Sequence, residues 1–164
     1  MNILSELARS KKIKYFLKGI PKDSTILEIG SGTGWVGEYF KQNGFSNQTN
    51  IDLMPPAEII GDINDWKNLG LQKNTYDYII AFEVVEHVDC FKSCYDLLKE
   101  GGNMLLTSPV PHLDWIMQIL ELLRLNQKRT SPHDNLVYFN KVPYFEKKDI
   151  KTIGFLSQWG VFTK

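Results

Sequence analysis

The chain has no surplus of either charge: nineteen Lys and Arg residues balance nineteen Asp and Glu. A protein that grips phosphate backbone ordinarily carries a basic excess, so the balance disfavours nucleic acid as the partner. Cysteine is scarce, with only Cys90 and Cys94 present. Four apart in a stretch of helical spacing, they are too few for a disulfide framework or a thiolate metal site and read as two buried thiols. No uninterrupted apolar run approaches the ~18 residues that cross a bilayer. The opening stretch MNILSELARSKKIKYFLKGI is broken by charge too often to be a signal peptide. Repeats, low-complexity tracts and long linkers are also missing. These absences predict a cytoplasmic protein with no transmembrane segment, one domain over residues 1–164, working as a monomer or homodimer. A chain of that length can bury about 70% of its unfolded surface.

What is present is an alternation of strand and helix. Leu4, Leu7 and Ala8, then Ile13, Phe16, Leu17 and Ile20, recur at helical spacing and predict a helix over residues 1–20. Thr25–Ile29 reads as a strand, Trp35–Asn43 as a helix closed by Gly44, and Thr49–Leu53 as a second strand. Met54-Pro55-Pro56-Ala57 is too short and too proline-rich for a helix. Glu58–Gly61 reads as a third strand and Tyr76–Phe82 as a fourth, apolar enough to be buried on both faces. A helix over Val85–Lys99, a turn at Gly101-Gly102 and a fifth strand over Asn103–Ser108 follow. The C-terminal stretch suggests a short helix over Lys147–Ile153 and a last strand near Trp159–Thr163. Strands alternating with helices imply a parallel sheet covered on both sides.

The chemistry concentrates in Glu28-Ile29-Gly30-Ser31-Gly32-Thr33-Gly34, where three alternating glycines follow a strand and precede a helix. Glycine belongs where the backbone turns sharply or where a ligand must come closer than a Cβ permits. The helix N-terminus beyond offers free N–H groups. Gly32, Gly34 and Gly37 also fit G-x-G-x-x-G, the dinucleotide fingerprint, with Asp52 near the expected distance. Against a nicotinamide-dinucleotide-binding protein stand Glu28 inside the strand, the lack of room for a catalytic domain, and a second acid, Asp62, after a third strand.

Taken in order, these runs resemble the class I S-adenosylmethionine-dependent methyltransferases, in particular their small type-11-like members. Glu28–Gly34 is similar to that family's first motif, Ile51-Asp52-Leu53 to its acidic second-strand end, and Gly61-Asp62-Ile63 to its adenine turn. Phe82-Glu83-Val84-Val85-Glu86-His87-Val88 resembles its "EVLEHV" signature. The resemblance implies an α/β three-layer sandwich with a mostly parallel seven-stranded sheet and short C-terminal strands. The second crossover is shortened, because Asp52 stands only ten residues before Asp62 where the family usually has a full helix. It implies S-adenosylmethionine as cofactor, with contacts from Glu28, Gly30, Ser31, Gly32 and Gly34, from Asp52 and Leu53, from Asp62 and Ile63, and from Phe82 and Glu83. Asp52 would accept the ribose hydroxyls and Asp62 the adenine amino group. Glu28 would act through water or by orienting the turn.

Glu83, Glu86 and His87 are spaced i, i+3, i+4 and would share a helix face if the helix began early enough. A similar E-x-x-E-H run, completed by a later histidine, holds a divalent metal in small-RNA 2′-O-methyltransferases. The same letters occur in metal-free members, so the expectation is no metal, with the metal-assisted RNA enzyme as an alternative. His112, His133 and His87 are the candidate catalytic bases. The segment Leu113–Leu125 carries one apolar stripe of Leu113, Ile116, Met117, Leu120 and Leu123, and a second of Trp115, Ile119 and Leu122. Such a helix is covered twice or covers something itself. It reads as a buried helix, a dimer or membrane-surface face, or a lid, with 111–145 as an acceptor-side insertion. The aromatic residues Trp115, Tyr138, Phe139 and Tyr144 point to methyl transfer onto a small or amphipathic acceptor, such as a sugar or lipid-linked precursor. A cofactor-binding but catalytically silent partner subunit is the remaining alternative.

Overall fold

A computed structural model describes residues 3–111 and 136–164. The Leu113–Leu125 helix with both its stripes, His112 and His133 therefore lie outside the described residues.

Seven strands form one sheet: β1 (Ile26–Ile29), β2 (Gln48–Asp52), β3 (Ile59–Ile60), β4 (Tyr76–Phe82), β5 (Leu98–Pro109), β6 (Glu146–Ile153) and β7 (Ser157–Thr163). Their spatial order is β3-β2-β1-β4-β5-β7-β6. The first five run parallel to their neighbours, whereas β7 is antiparallel to both β5 and β6. Order reverses at β1, between β2 and β4, which is the switch point where open α/β sheets hold their ligands. All four residues of β1 are buried, so both faces of the sheet are covered there.

The alternation of side chains along β1 and β4 divides the core in two. Ile26 and Ile80 pack with Phe16, Leu17, Val36 and Phe40 from the N-terminal segment and from α2 (Trp35–Gln42). Leu27, Ile79 and Ala81 pack with Phe91, Cys94 and Leu97 of α3 (Phe91–Leu97) on the other face. Both cysteines are free and buried. Between β2 and β3 only residues 53–58 intervene, so the crossover is short as expected. No helix among the described residues is long and apolar enough to cross a membrane.

Four elements differ from expectation. The N-terminal helix α1 spans Ile3–Lys12 and continues as a π-helical turn over Ile13–Leu17, in which Lys18 N–H donates to Ile13 O at 2.9 Å. Leu7 and Ala8 face solvent rather than the core, while Ser5, Arg9 and Lys12 are the partly buried positions. The helix expected from Val85 starts only at Phe91. Glu83 adopts a left-handed backbone (φ 56°), residues 85–87 form a turn, and Asp89 Oδ1 accepts the Phe91 N–H at 3.3 Å. Gly101-Gly102 is a bulge inside β5 rather than a turn before it: Tyr76 pairs with Leu98, then Tyr78 with Asn103. Finally, Lys147–Ile153 belongs to strand β6, not a helix. Ile150 and Ile153 mimic helical spacing, but Lys- and Asp-rich composition is also how an edge strand discourages further pairing.

Candidate active site

The glycine turn connects β1 to α2 at the C-terminal edge of the sheet. Gly30, Gly32 and Gly34 all have positive φ, at 71°, 49° and 73°, but for different reasons. A Cβ on Gly30 would stand 2.5 Å from Val84 Cγ2, so that glycine lets the turn close against the end of β4. A Cβ on Gly32 or Gly34 would meet nothing within 4 Å. Their absent side chains leave open space above the turn, which is what an approaching ligand needs. Ser31 is buried, and its carbonyl accepts the Gly34 N–H at 2.8 Å to close the turn.

Glu28 lies beneath this turn rather than in it. Gly34 stands at the N-cap of α2, which has no side-chain cap. Helical hydrogen bonding starts with Glu38 N–H to Gly34 O at 2.9 Å, which leaves the earlier N–H groups of the helix without intrahelical partners. The Glu28 carboxyl lies against Gly37 in that first turn, where the Gly37 N–H favours its charged form. A strand residue thus sits beneath the first turn of the following helix. Burial pushes the Glu28 carboxyl up to about 8, against the pull of the Gly37 N–H and helped by the charges of Asp52 and Glu58. It is 4% exposed, with Oε2 unbonded.

Asp52 ends β2 beside the turn. Its Oδ2 accepts the Gly32 N–H at 2.9 Å and its Oδ1 the Met54 N–H at 3.3 Å. The carboxylate is therefore oriented by the glycine turn and retains lone pairs for a diol. Next to it Leu53 is 70% exposed. Asp62 is an exposed residue whose Oδ1 accepts the Asn64 N–H at 2.8 Å and starts a short 3-10 turn over Ile63–Asp65. Ile63 itself is buried in the core. Asn64, which the sequence reading passed over, binds the Asp89 carbonyl (3.0 Å) and accepts from Ser93 (2.7 Å), fixing this turn to the start of α3.

A second cluster occupies the end of β4. Phe82 stacks on Trp35 of α2, centroids 6.1 Å apart, and contacts Phe16 at 5.1 Å. Glu83 Oε1 accepts from Thr107 Oγ1 at 2.8 Å and pairs with Lys12 Nζ at 3.0 Å. Partial desolvation works against the Glu83 charge, although its side chain is 43% exposed, and Lys12 and the Thr107 hydroxyl hold the carboxyl below its ordinary value. Glu86 is 1% exposed; burial and the Glu83 charge push it up to about 9. Arg9 extends the same contact, donating to Thr33 Oγ1 at 3.3 Å and lying over the Trp35 ring at 5.6 Å. Arg9 and Lys12 thus join the glycine turn to the β4 end. An apolar-stripe reading of α1 had no means of finding them, since the helix turns its polar side inward.

His87 is exposed, on the turn after β4. Glu83, Glu86 and His87 share no helix face, because α3 begins beyond all three. Among the described residues no group of three or more His, Cys, Asp or Glu side chains stands close enough to hold a metal ion.

Residues 4–153 match the model of a family described as a methyltransferase domain. No curated protein matches the chain by sequence. Among solved structures, a protein of Pyrococcus horikoshii OT3 superposes with a TM-score of 0.69 at 18% identity, over 99% of this chain and 92% of that one. An S-adenosylmethionine-dependent methyltransferase from Mesorhizobium loti gives 0.64 at 12%, over 93% and 97%. Phosphoethanolamine N-methyltransferase 2 of Haemonchus contortus, in complex with S-adenosyl-L-methionine, gives 0.67 at 12%, over 99% of this chain and 53% of that one. At such identities the likeness is one of fold.

Proposed function

Because the chain belongs to this methyltransferase family, we propose that it transfers the methyl group of S-adenosylmethionine to a small or amphipathic acceptor, such as a sugar or a lipid-linked precursor. It is an S-adenosylmethionine-dependent methyltransferase with the α/β fold of that class. One observation carries the assignment of the site. The Asp52 carboxylate is held by the Gly32 N–H at 2.9 Å, beside two glycines whose missing Cβ atoms leave open space.

In this reading Asp52 accepts the ribose hydroxyls and the open side of Gly32 and Gly34 borders the methionine end. Asp62 accepts the adenine amino group. Ile63 borders the purine from the buried side, and the exposed Leu53 supplies a further apolar contact. Glu28 and Gly30 act by shaping the turn, Ser31 by closing it, and Phe82 and Glu83 border the reacting end. When bound, S-adenosylmethionine supplies a methyl group already activated by its positive sulfur. The chain's own work is therefore alignment, exclusion of water and, for a hydroxyl acceptor, removal of a proton. His112, His133 and His87 are the candidates for that proton. The segment 111–145 is assigned to the acceptor side.

The test is a transfer screen with methyl-labelled cofactor across extract fractions separated into small molecules, lipids, RNA and protein. Label should enter the small-molecule or lipid fraction. Label in RNA or protein alone would overturn the acceptor class, and cofactor binding with no labelled product in any fraction would favour a silent partner subunit.

A further inference from the structure

The Lys12–Glu83 contact is built differently from a stabilising ion pair. The Lys12 side chain is 13% exposed and that of Glu83 43%, with Lys12 Nζ 3.0 Å from Glu83 Oε1 and 5.2 Å from the centre of the Phe82 ring, so the carboxylate is open to solvent while the cation is not. Thr107 Oγ1 orients the same carboxylate oxygen from β5 at 2.8 Å. A second carboxyl, Glu86, is 1% exposed and close enough for the Glu83 charge to act on it. Its Oε2 has no hydrogen-bond partner among the described residues. Native interiors rarely leave such atoms unbonded without a functional reason. Burial and the Glu83 charge keep Glu86 protonated, so the pair of carboxyls carries one negative charge, matched to one cation.

Backbone geometry points the same way. Glu83 takes a left-handed conformation at φ 56°, which a residue with a Cβ adopts at a cost, and such strain gathers at ligand sites. It does so at the C-terminal end of a central parallel strand, where α/β proteins bind ligands. The cation arrives from a helix that changes character immediately after it: α1 ends at Lys12 and a π-helical turn begins at Ile13. Turns of that kind are frequent at functional positions. The helix points Lys12 and Arg9 inward while leaving Leu7 54% exposed, the reverse of an amphipathic helix docked for its apolar face.

We infer that Glu83, Glu86, Thr107 and the Phe82 ring form a subsite for an ammonium group on the methyl acceptor, and that Lys12 fills it as the chain's own stand-in. An aromatic face beside a carboxylate is the chemistry that recognises an alkylammonium. The inference rests on the methyltransferase reading only in taking the ligand to be the acceptor; it narrows the small or amphipathic acceptor to one that carries an amine.

The test uses n-butylammonium chloride and its neutral isostere n-butanol at matched ionic strength. The full chain carrying Lys12→Ala, which frees the subsite, is titrated with each by calorimetry. Saturable binding of butylammonium at least tenfold tighter than to the wild-type chain is expected, with n-butanol not binding and Glu83→Gln in the Lys12→Ala background abolishing the gain. Equal or absent butylammonium binding in the two chains would overturn the subsite. If Lys12→Ala does not fold, hydrogen exchange on the wild-type chain decides: butylammonium should displace Lys12 and speed exchange of the α1 amides where n-butanol does not, and unchanged exchange overturns the inference. S-adenosylhomocysteine is titrated separately, so loss of cofactor binding would count against the methyltransferase reading and not against the ammonium site.

Discussion

Gly30 and Gly32 have the same residue type and the same left-handed backbone, yet an added methyl group meets a valine in one case and open space in the other. Both substitutions are strained, but only Gly30→Ala also drives a Cβ to 2.5 Å from Val84 Cγ2. Overpacking of that kind costs about 1–3 kcal/mol. Gly30→Ala should therefore lower the melting temperature more than Gly32→Ala, and Gly32→Ala should weaken cofactor binding more. Melting and calorimetry on the two proteins check this, and the reverse ranking would contradict the division of roles. The three glycines were visible in the sequence as a group because their spacing between strand and helix is a local signal. Their separate purposes were not, since Val84 lies 54 residues away and only the fold brings it to Gly30. Glu28 was expected to orient the turn; its contact with Gly37 depends on where α2 lies over β1.

At the scale of elements, buried Gln158 on β7 holds three segments together. Its Nε2 donates to the carbonyls of Pro109 and Val137, both at 3.1 Å, and its Oε1 accepts the Phe139 N–H at 3.0 Å. Gln158→Ala would leave those backbone groups unpaired, at about 1–3 kcal/mol for each that water cannot reach. A loss of at least about 2 kcal/mol in denaturant unfolding is expected, and a loss below half of that would show the clamp to be dispensable. Strands β1, β2 and β4 and helix α2 were legible because runs of buried apolar residues and a glycine turn announce them. Three other elements were not. α1 turns Leu7 and Ala8 to solvent, the helix expected from Val85 begins only at Phe91 after the left-handed Glu83, and β6 carries isoleucines at helical spacing on an exposed sheet edge. In each case tertiary contacts override a local pattern, and two of the three lie at the end of β4, where the site is.

Among the described residues two buried carboxyls hold their protons far above the ordinary value of 4.5, Glu28 at about 8 and Glu86 at about 9. In the unfolded chain both ionise near 4.5, so between there and about 9 the native state binds more protons and stability falls as the pH rises. The melting temperature should decline across that window, and Glu28→Gln should flatten the part of the decline below about 8. A rising or flat profile would contradict the protonated assignment. The central claim concerns the site at the switch point of the sheet, and calorimetric titration with S-adenosylhomocysteine tests it most directly. The wild-type chain should bind at one saturable site. Asp52→Ala, which removes a charged acceptor contributing about 1.5–3 kcal/mol, should bind about tenfold more weakly or worse while melting almost unchanged. No binding by the wild-type chain, or equal affinity in the two proteins, would contradict it.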